Sequence, residues 1–143
     1  MKPRLIKGSC FSDVRGNLKY NNDFNASNIK RMYIIENESI QLKRGWQGHK
    51  IEQRWFSVVS GNFEILLIKK ENWNNSNIKP ERVALSSETL DILHIPAGYL
   101  TCIQAKEENA KLLVMSNYLL GAIDDEYKFA LDDFECTKDN MII

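Results

Sequence analysis

The chain has 143 residues, enough for one domain with its own core, so stability requires neither a disulfide nor a structural metal. Its 19 Lys and Arg balance 19 Asp and Glu, which argues against nucleic acid and anionic membranes as partners. Three cysteines, Cys10, Cys102 and Cys136, lack the spacing of a disulfide framework or a zinc site. Without a signal-peptide pattern or an apolar run that could span a bilayer, a cytoplasmic protein is expected.

Seven short runs rich in β-branched and aromatic residues predict strands. In chain order they cover residues 30–36, 54–59, 62–69, 82–85, 91–95, 100–105 and 111–118. Turn residues separate them, and this spacing indicates one β-sandwich or β-barrel domain over residues 1–143. The polar stretch 69–80 is predicted to be a surface loop. Residues 119–134 show no alternation and predict a short C-terminal helical segment outside the barrel.

Alternating residues of an extended strand share one face, so Gln47, His49, Gln53 and Trp55 would line up if residues 47–55 are extended. Such a face mixes polar and aromatic side chains. It is the first candidate for a ligand site.

The same residues resemble a cupin motif. Gln47-x-His49, then three residues, then Gln53, resembles the first motif, and residues 96–101 (PAGYLT) resemble the second. The family usually offers three His and one Glu to a metal, at positions that are here Gln47, His49, Gln53 and Thr101. Amides are poor ligands for a transition metal and one imidazole cannot hold one, so the resemblance implies a metal-free, all-β jelly-roll barrel of the RmlC-like type.

Further motifs occur in the order found in the dTDP-4-dehydrorhamnose 3,5-epimerases and the dTDP-sugar 3,4-ketoisomerases, which the chain resembles from residue 11 to about 118. They are FSDVRGNL at 11–18, IKRMYI at 29–34, KRGW at 43–46, QRWF at 53–56, HIPAGY at 94–99 and SNY at 116–118. The resemblance implies an isomerase or epimerase without a cofactor. Its substrate would be a dTDP-linked 4-keto-6-deoxyhexose used in surface polysaccharide synthesis.

Proton transfer next to a ketone requires a base, a partner for the enolate oxygen and an acid. His49 is the expected base, because histidine titrates near neutrality. Tyr118 or Tyr33 is the expected acid or oxyanion partner. His94, in a Leu-His-Ile-Pro context, is expected to be structural.

Arg15 and Arg44 are assigned to the nucleotide diphosphate, because guanidinium groups bind phosphate oxygens bidentately. Arg54 is expected to steady either an enolate or a phosphate of the substrate. Gln47 and Gln53 are expected to hydrogen-bond the substrate. Cupins of these families usually form dimers, and residues 1–8 could add a strand to a partner, so a homodimer is expected.

Two other functions remain open, because Gln47 and Thr101 stand where relatives have histidines. One is a degenerate cupin that binds a sugar nucleotide or saccharide without turnover, and the other is a metal-dependent cupin with unusual ligands. The candidate residues also have a purely structural interpretation. On that view His49 and the tyrosines fill the barrel, and Arg15 forms a local salt bridge in a turn.

Overall fold

The computed structural model describes residues 1–134, which form twelve β-strands and two turns of 3-10 helix. The strands are β1 (Arg4–Ile6), β2 (Ser9–Asp13), β3 (Gly16–Tyr20), β4 (Arg31–Ile35), β5 (Lys43–His49), β6 (Arg54–Ser60), β7 (Asn62–Lys69), β8 (Glu81–Ser86), β9 (Ile92–Ile95), β10 (Tyr99–Ala105), β11 (Lys111–Ser116) and β12 (Tyr127–Lys128). The 3-10 turns are Lys70–Asn72 and Leu131–Asp133. Cys136 lies outside the described residues.

Two five-stranded antiparallel sheets form the body of the molecule. The first has the strand order β1-β9-β6-β11-β4, and the second has the order β12-β5-β10-β7-β8. A separate hairpin joins β2 and β3. This arrangement confirms the predicted all-β class. Within residues 1–134, no helix is long and apolar enough to cross a membrane.

The main core fills the space between the two sheets, as the alternation of apolar residues in β6, β7 and β10 predicts. Its buried side chains include Phe56, Val58, Phe63, Ile65, Leu67, Leu93, Ile103, Leu112 and Val114. Burying these large side chains contributes roughly 1.5–3 kcal/mol each relative to exposure. This core occupies one end of the interior and leaves the other end to polar residues.

The outer face of the second sheet is also covered, which explains why β7 and β10 are apolar on both faces. Trp46, Leu66, Ile68 and Leu100 pack there in a second buried cluster with Trp73 and Phe134. Trp73 lies in the stretch predicted as a surface loop, but its side chain is buried and its indole N–H donates to the carbonyl of Ile68. That part of the loop is therefore a cover for the sheet.

The C-terminal segment differs from the predicted helix. After β11 the chain crosses the edge of the second sheet, and β12 pairs with β5. A single 3-10 turn, Leu131–Asp133, follows before the buried Phe134. We call residues 122–134 the C-terminal strap.

The N-terminal strand β1 lies at the edge of the first sheet. It pairs on one side with β9 of its own chain, with Arg4 opposite His94. The expectation that residues 1–8 could add a strand to a partner stays a prediction. The hairpin β2–β3 is exposed along almost its whole length, including the apolar side chains of Phe11, Val14 and Leu18.

Candidate active site

The polar end of the interior is formed by the starts of β4, β6 and β10 and the end of β5. Alternation along each strand places the residues of this end on the inner face: Arg31, Tyr33, Gln47, His49, Arg54 and Thr101. A cavity of about 310 Å³ opens here, and an adjoining cavity of about 470 Å³ extends from it along β4 and β5 past Ile35 and Arg44. Both are lined by Tyr33, Gln47 and Arg54, so these three residues form the boundary between them.

The backbone around His49 is held by close approach of β5 to β10. A Cβ atom on Gly48 would collide with the carbonyl oxygen of Tyr99, so only glycine fits next to His49 at this separation. Gly98, with φ of +90°, turns the chain so that its N–H donates to the carbonyl of His49 at 2.6 Å. These contacts hold the backbone at His49 and thereby limit where its imidazole can lie.

A single hydrogen bond sets the tautomer of His49. The Nδ1 atom lies 2.9 Å from the backbone carbonyl oxygen of Asp125, which can only accept, so Nδ1 carries the proton. Nε2 is buried and has no hydrogen-bond partner within residues 1–134. In the neutral imidazole Nε2 therefore has a free lone pair, as a general base requires.

The surroundings keep this imidazole neutral near pH 7. Burial lowers the pKa of His49 below its ordinary value of 6.5, and the positive charge of Arg54 lowers it further. The carboxylates of Glu52 and Asp125 oppose this effect without overcoming it.

Glu52, which the sequence did not single out, lies at the centre of the charged groups of the site. Its Oε2 atom is 3.0 Å from Arg54 Nε, 3.5 Å from Arg31 Nη2 and 3.8 Å from His49 Nε2. The side chain is only 7% exposed, so these interactions are weakly screened by water. One carboxylate thus contacts two cations and faces the free nitrogen of His49.

Asp125 holds the turn that follows β5. Its carboxylate accepts hydrogen bonds from the backbone N–H groups of Lys50, Ile51 and Glu52, at 2.8 to 2.9 Å. Burial alone would raise the pKa of Asp125, but the three N–H donors and His49 bring it below the ordinary value. Because Asp125 belongs to the C-terminal strap, the strap fixes both the tautomer of His49 and the position of Glu52.

The same turn explains why Gln53 does not face the cavities. Residues 50–53 are not extended. The side chains that face the interior are therefore the odd-numbered ones on β5 and the even-numbered ones on β6. Gln53 Oε1 accepts a hydrogen bond from His94 Nε2 at 2.7 Å, and His94 stacks on Trp55 at 4.8 Å between ring centroids. The expected single face from Gln47 to Trp55 is wrong. The carboxylate beside His49 is supplied by Glu52, one position before Gln53.

The remaining predicted residues lie in different places. Arg44 lines the larger cavity, and its Nε donates to Asn37 Oδ1 at 3.2 Å. Arg15 lies on the turn of the β2–β3 hairpin, is 83% exposed at its side chain, forms an ion pair with Asp13 at 2.5 Å and lines neither cavity. Tyr118 lines neither cavity, and its backbone carbonyl accepts from Arg31 Nε at 3.4 Å.

The residues at the cupin metal positions do not fit a metal. Their side chains are two amides, one imidazole and one hydroxyl, and the amide of Gln53 faces His94 instead of His49. In the part of the chain that the structure describes, no group of three or more His, Cys, Asp or Glu residues could hold an ion.

Four residues of the site were not predicted from the sequence: Arg31, Glu52, Asp125 and Lys128. Glu52 carried a usable signal, because it is a charged residue at the start of a run, 52–58, that is otherwise buried or half-buried. Arg31 carried another, because it has the same parity along β4 as the less exposed Tyr33 and Ile35. Asp125 and Lys128 carried none, since their positions depend on the path of the strap.

Comparison with known proteins finds a family model that matches nearly the whole chain. The family model described as FdtA, WxcM-like, C-terminal, matches residues 1–137. Comparison with curated protein sequences gives no significant match.

Solved structures share the fold. A mutant of the 3,4-ketoisomerase QdtA from Thermoanaerobacterium thermosaccharolyticum, in complex with TDP-4-keto-6-deoxyglucose, is 20% identical, with a TM-score of 0.70 over 88% of this chain and 86% of that chain. The WlaRB TDP-quinovose 3,4-ketoisomerase from Campylobacter jejuni is 21% identical, with a TM-score of 0.66 over 86% and 90%. The rmlC epimerase of Mycobacterium tuberculosis is 11% identical, with a TM-score of 0.70 over 88% and 68%. These similarities confirm the predicted RmlC-like cupin fold.

Proposed function

The chain belongs to the FdtA family (WxcM-like, C-terminal), and on that premise we propose that it isomerises a dTDP-linked 4-keto-6-deoxyhexose by proton transfer next to the ketone. The observation that carries this proposal is the free Nε2 of His49, neutral near pH 7 and buried beside the cavities. Ketoisomerases and epimerases with the same fold give the reaction class.

The proposed step begins with neutral His49. Its Nε2 lone pair takes a proton from the carbon next to the ketone, the electrons of the broken C–H bond form a C=C bond, and the carbonyl π electrons move to oxygen. The enolate is stabilised by the guanidinium of Arg54 and the hydroxyl of Tyr33, both of which line the two cavities. In an epimerisation, an acid on the other face of the sugar, with Tyr33 as the candidate, gives a proton to the same carbon. In a keto shift, the enolate oxygen takes a proton, the former carbonyl carbon takes the proton held by His49, and the hydroxyl on the deprotonated carbon gives up its proton as its oxygen becomes the new ketone. Tyr118 is a less direct candidate for the acid because it does not line the cavities.

We place the diphosphate in the larger cavity and the sugar next to His49. The larger cavity is bordered by Arg44, Arg54 and Lys128, and cations of this kind bind phosphate oxygens. Gln47 lies between the two cavities and supplies an amide for the sugar hydroxyls.

Arg15 does not line the cavities in which we place the nucleotide. It is exposed on a hairpin and lines neither cavity of its own chain, so it would reach a nucleotide only in a second copy. This agrees with the proposed homodimer. On the family resemblance we also assign the reaction to surface polysaccharide synthesis in the cytoplasm.

The test is to incubate the protein with dTDP-4-keto-6-deoxyglucose in heavy water and follow the sugar by NMR. The proposal expects deuterium at a carbon next to the ketone and conversion to an isomer. Binding of dTDP is measured in parallel by calorimetry. If dTDP binds but no deuterium enters the sugar, the chain is not an isomerase of this substrate.

A second candidate function is supported by two substitutions in the site. Gln47 and Thr101 occupy positions where the family motifs have histidines, and Thr101 Oγ1 donates to the carbonyl of Gln47 at 3.4 Å. Neither side chain titrates near neutrality, so both favour binding without turnover. Nucleotide binding without deuterium exchange is the result that this alternative predicts.

A further inference from the structure

The position of Glu52 leaves one interaction unused in the resting site. Its Oε2 atom faces His49 Nε2 at 3.8 Å, too far for a hydrogen bond, and Nε2 in the neutral tautomer has no proton to donate. The other nitrogen, Nδ1, already donates to the carbonyl of Asp125. The imidazole and the carboxylate are thus placed to interact only when His49 is protonated.

Proton abstraction creates that state. When Nε2 takes the α-proton, His49 becomes an imidazolium with a new N–H that faces Glu52, while Nδ1–H still donates to Asp125. Nε2 is buried, and the bound substrate would fill the cavity of about 310 Å³ that both side chains also line, so little water can solvate the new charge. An unpaired buried cation is costly, whereas a buried cation beside a carboxylate is stabilised.

Glu52 also controls the cations around His49. Arg54 Nε at 3.0 Å and Arg31 Nη2 at 3.5 Å are both drawn to its Oε2 atom. Without that negative charge, two guanidinium groups would disfavour a third positive charge on His49. The other titratable groups near His49 are Tyr33 from β4, Tyr99 from β10, and Asp124, Asp125 and Glu126 from the C-terminal strap.

We propose that Glu52 is a positioning residue that stabilises protonated His49 during the reaction and holds Arg31 and Arg54 at the cavity. This inference rests on the proposed function and names the group that makes a site with one histidine competent for reversible proton transfer. The substrate proposed for the site is unchanged. The inference adds that the carboxylate of Glu52 is the group that pairs with the protonated base, His49.

The test compares Glu52→Gln with wild type by NMR titration of the two histidines, His49 and His94, which are assigned with a His94→Asn variant. Loss of the negative charge is expected to lower the pKa of His49, leave the pKa of His94 in place, and lower kcat about tenfold or more while dTDP still binds. Glu64→Gln is the matched control. It removes another carboxylate that is paired with an arginine, Arg82, outside both cavities. This control is expected to change neither the pKa of His49 nor kcat.

An unchanged pKa of His49 in Glu52→Gln overturns this inference. If that variant does not fold, Glu52→Asp keeps the charge but moves it away from Nε2. It is expected to lower the pKa of His49 and to lower kcat, and an unaltered pKa there would equally overturn the role of Glu52. Failure of the proposed function is recognised separately, because wild type would then show no turnover although the histidine titrations remain readable.

Discussion

The hydrogen bonds around His49 decide which of its two ring nitrogens is free to act as a base. Asp125 supplies the carbonyl that keeps the proton of His49 on Nδ1, and its carboxylate binds the backbone of the following turn. A backbone carbonyl cannot be removed by substitution, but the carboxylate can. Asp125 is therefore the residue whose change tests how the turn is held.

Substituting Asp125→Asn is expected to destabilise the protein at pH 7 by about 2–4 kcal/mol, because one neutral amide oxygen replaces the two carboxylate oxygens that accept from three N–H groups, one of them buried. The folded-state pKa of Asp125 is depressed, so its contribution is present above the unfolded-state pKa and lost as the pH falls through the folded-state value. The difference in the free energy of unfolding between Asp125→Asn and wild type should therefore shrink below about pH 4. Urea unfolding at several pH values measures this.

The exposed neighbour provides the control for this prediction. Asp124→Asn removes a carboxylate from the same segment and is expected to leave the free energy of unfolding within about 0.5 kcal/mol of wild type. A pH-independent effect of Asp125→Asn would contradict the assigned role of its charge.

At the scale of elements, the sequence predicted the strands of the two sheets better than it predicted the turn between β5 and β6. The runs around β6, β7, β10 and β11 are apolar because they are buried, and burial leaves a periodic signal. The β2–β3 hairpin was missed as a pair of strands because its residues are exposed and each strand carries only one large apolar residue on the shared face, Phe11 or Leu18, which is too few for a periodic signal. The non-extended turn at residues 50–53 left no such signal, and it decides that Glu52 rather than Gln53 faces His49.

The C-terminal strap was also not predictable from local pattern, since its conformation comes from packing on the second sheet. Phe134 packs edge to face against Trp46 and Phe129, with ring centroids 5.5 Å apart in each pair. The strap also contains Asp125, whose backbone carbonyl accepts a hydrogen bond from His49 Nδ1. Its stability is therefore coupled to the geometry of the site.

Replacing Phe134 with Ala is expected to lower the free energy of unfolding by about 3–5 kcal/mol, the usual cost of removing a buried phenyl group. Thermal and urea unfolding provide the measurement. Leu120→Ala, which truncates a side chain that is 82% exposed, is the control and is expected to have little effect. An effect of Phe134→Ala no larger than that of the control would show that the strap does not contribute to the core.

At the scale of the whole molecule, the exposed hairpin is the feature that a single chain does not explain. Phe11, Val14 and Leu18 are 54%, 105% and 62% exposed on a two-stranded sheet that stands apart from the two larger ones. Two strands alone are marginally stable in water. Contact with a second copy would cover these side chains and bring Arg15 towards another site, in agreement with the proposed homodimer.

Sedimentation measurements test this expectation. Wild type is expected to have twice the 16.6 kDa mass of the chain, and Leu18→Asp is expected to shift the protein towards the monomer because it buries a charge in the contact. Ser12→Asp on the same hairpin is the control for added charge. Wild type that is monomeric at micromolar concentration would exclude the homodimer.

One histidine, His49, is proposed to carry proton transfer in this cupin barrel. The most direct measurement is the rate at which deuterium from heavy water enters dTDP-4-keto-6-deoxyglucose with the His49→Asn and His94→Asn variants. We expect His49→Asn to lose at least a hundredfold in rate while it still binds dTDP, and His94→Asn to retain the wild-type rate within severalfold. Exchange at the wild-type rate in His49→Asn would show that His49 is not the base.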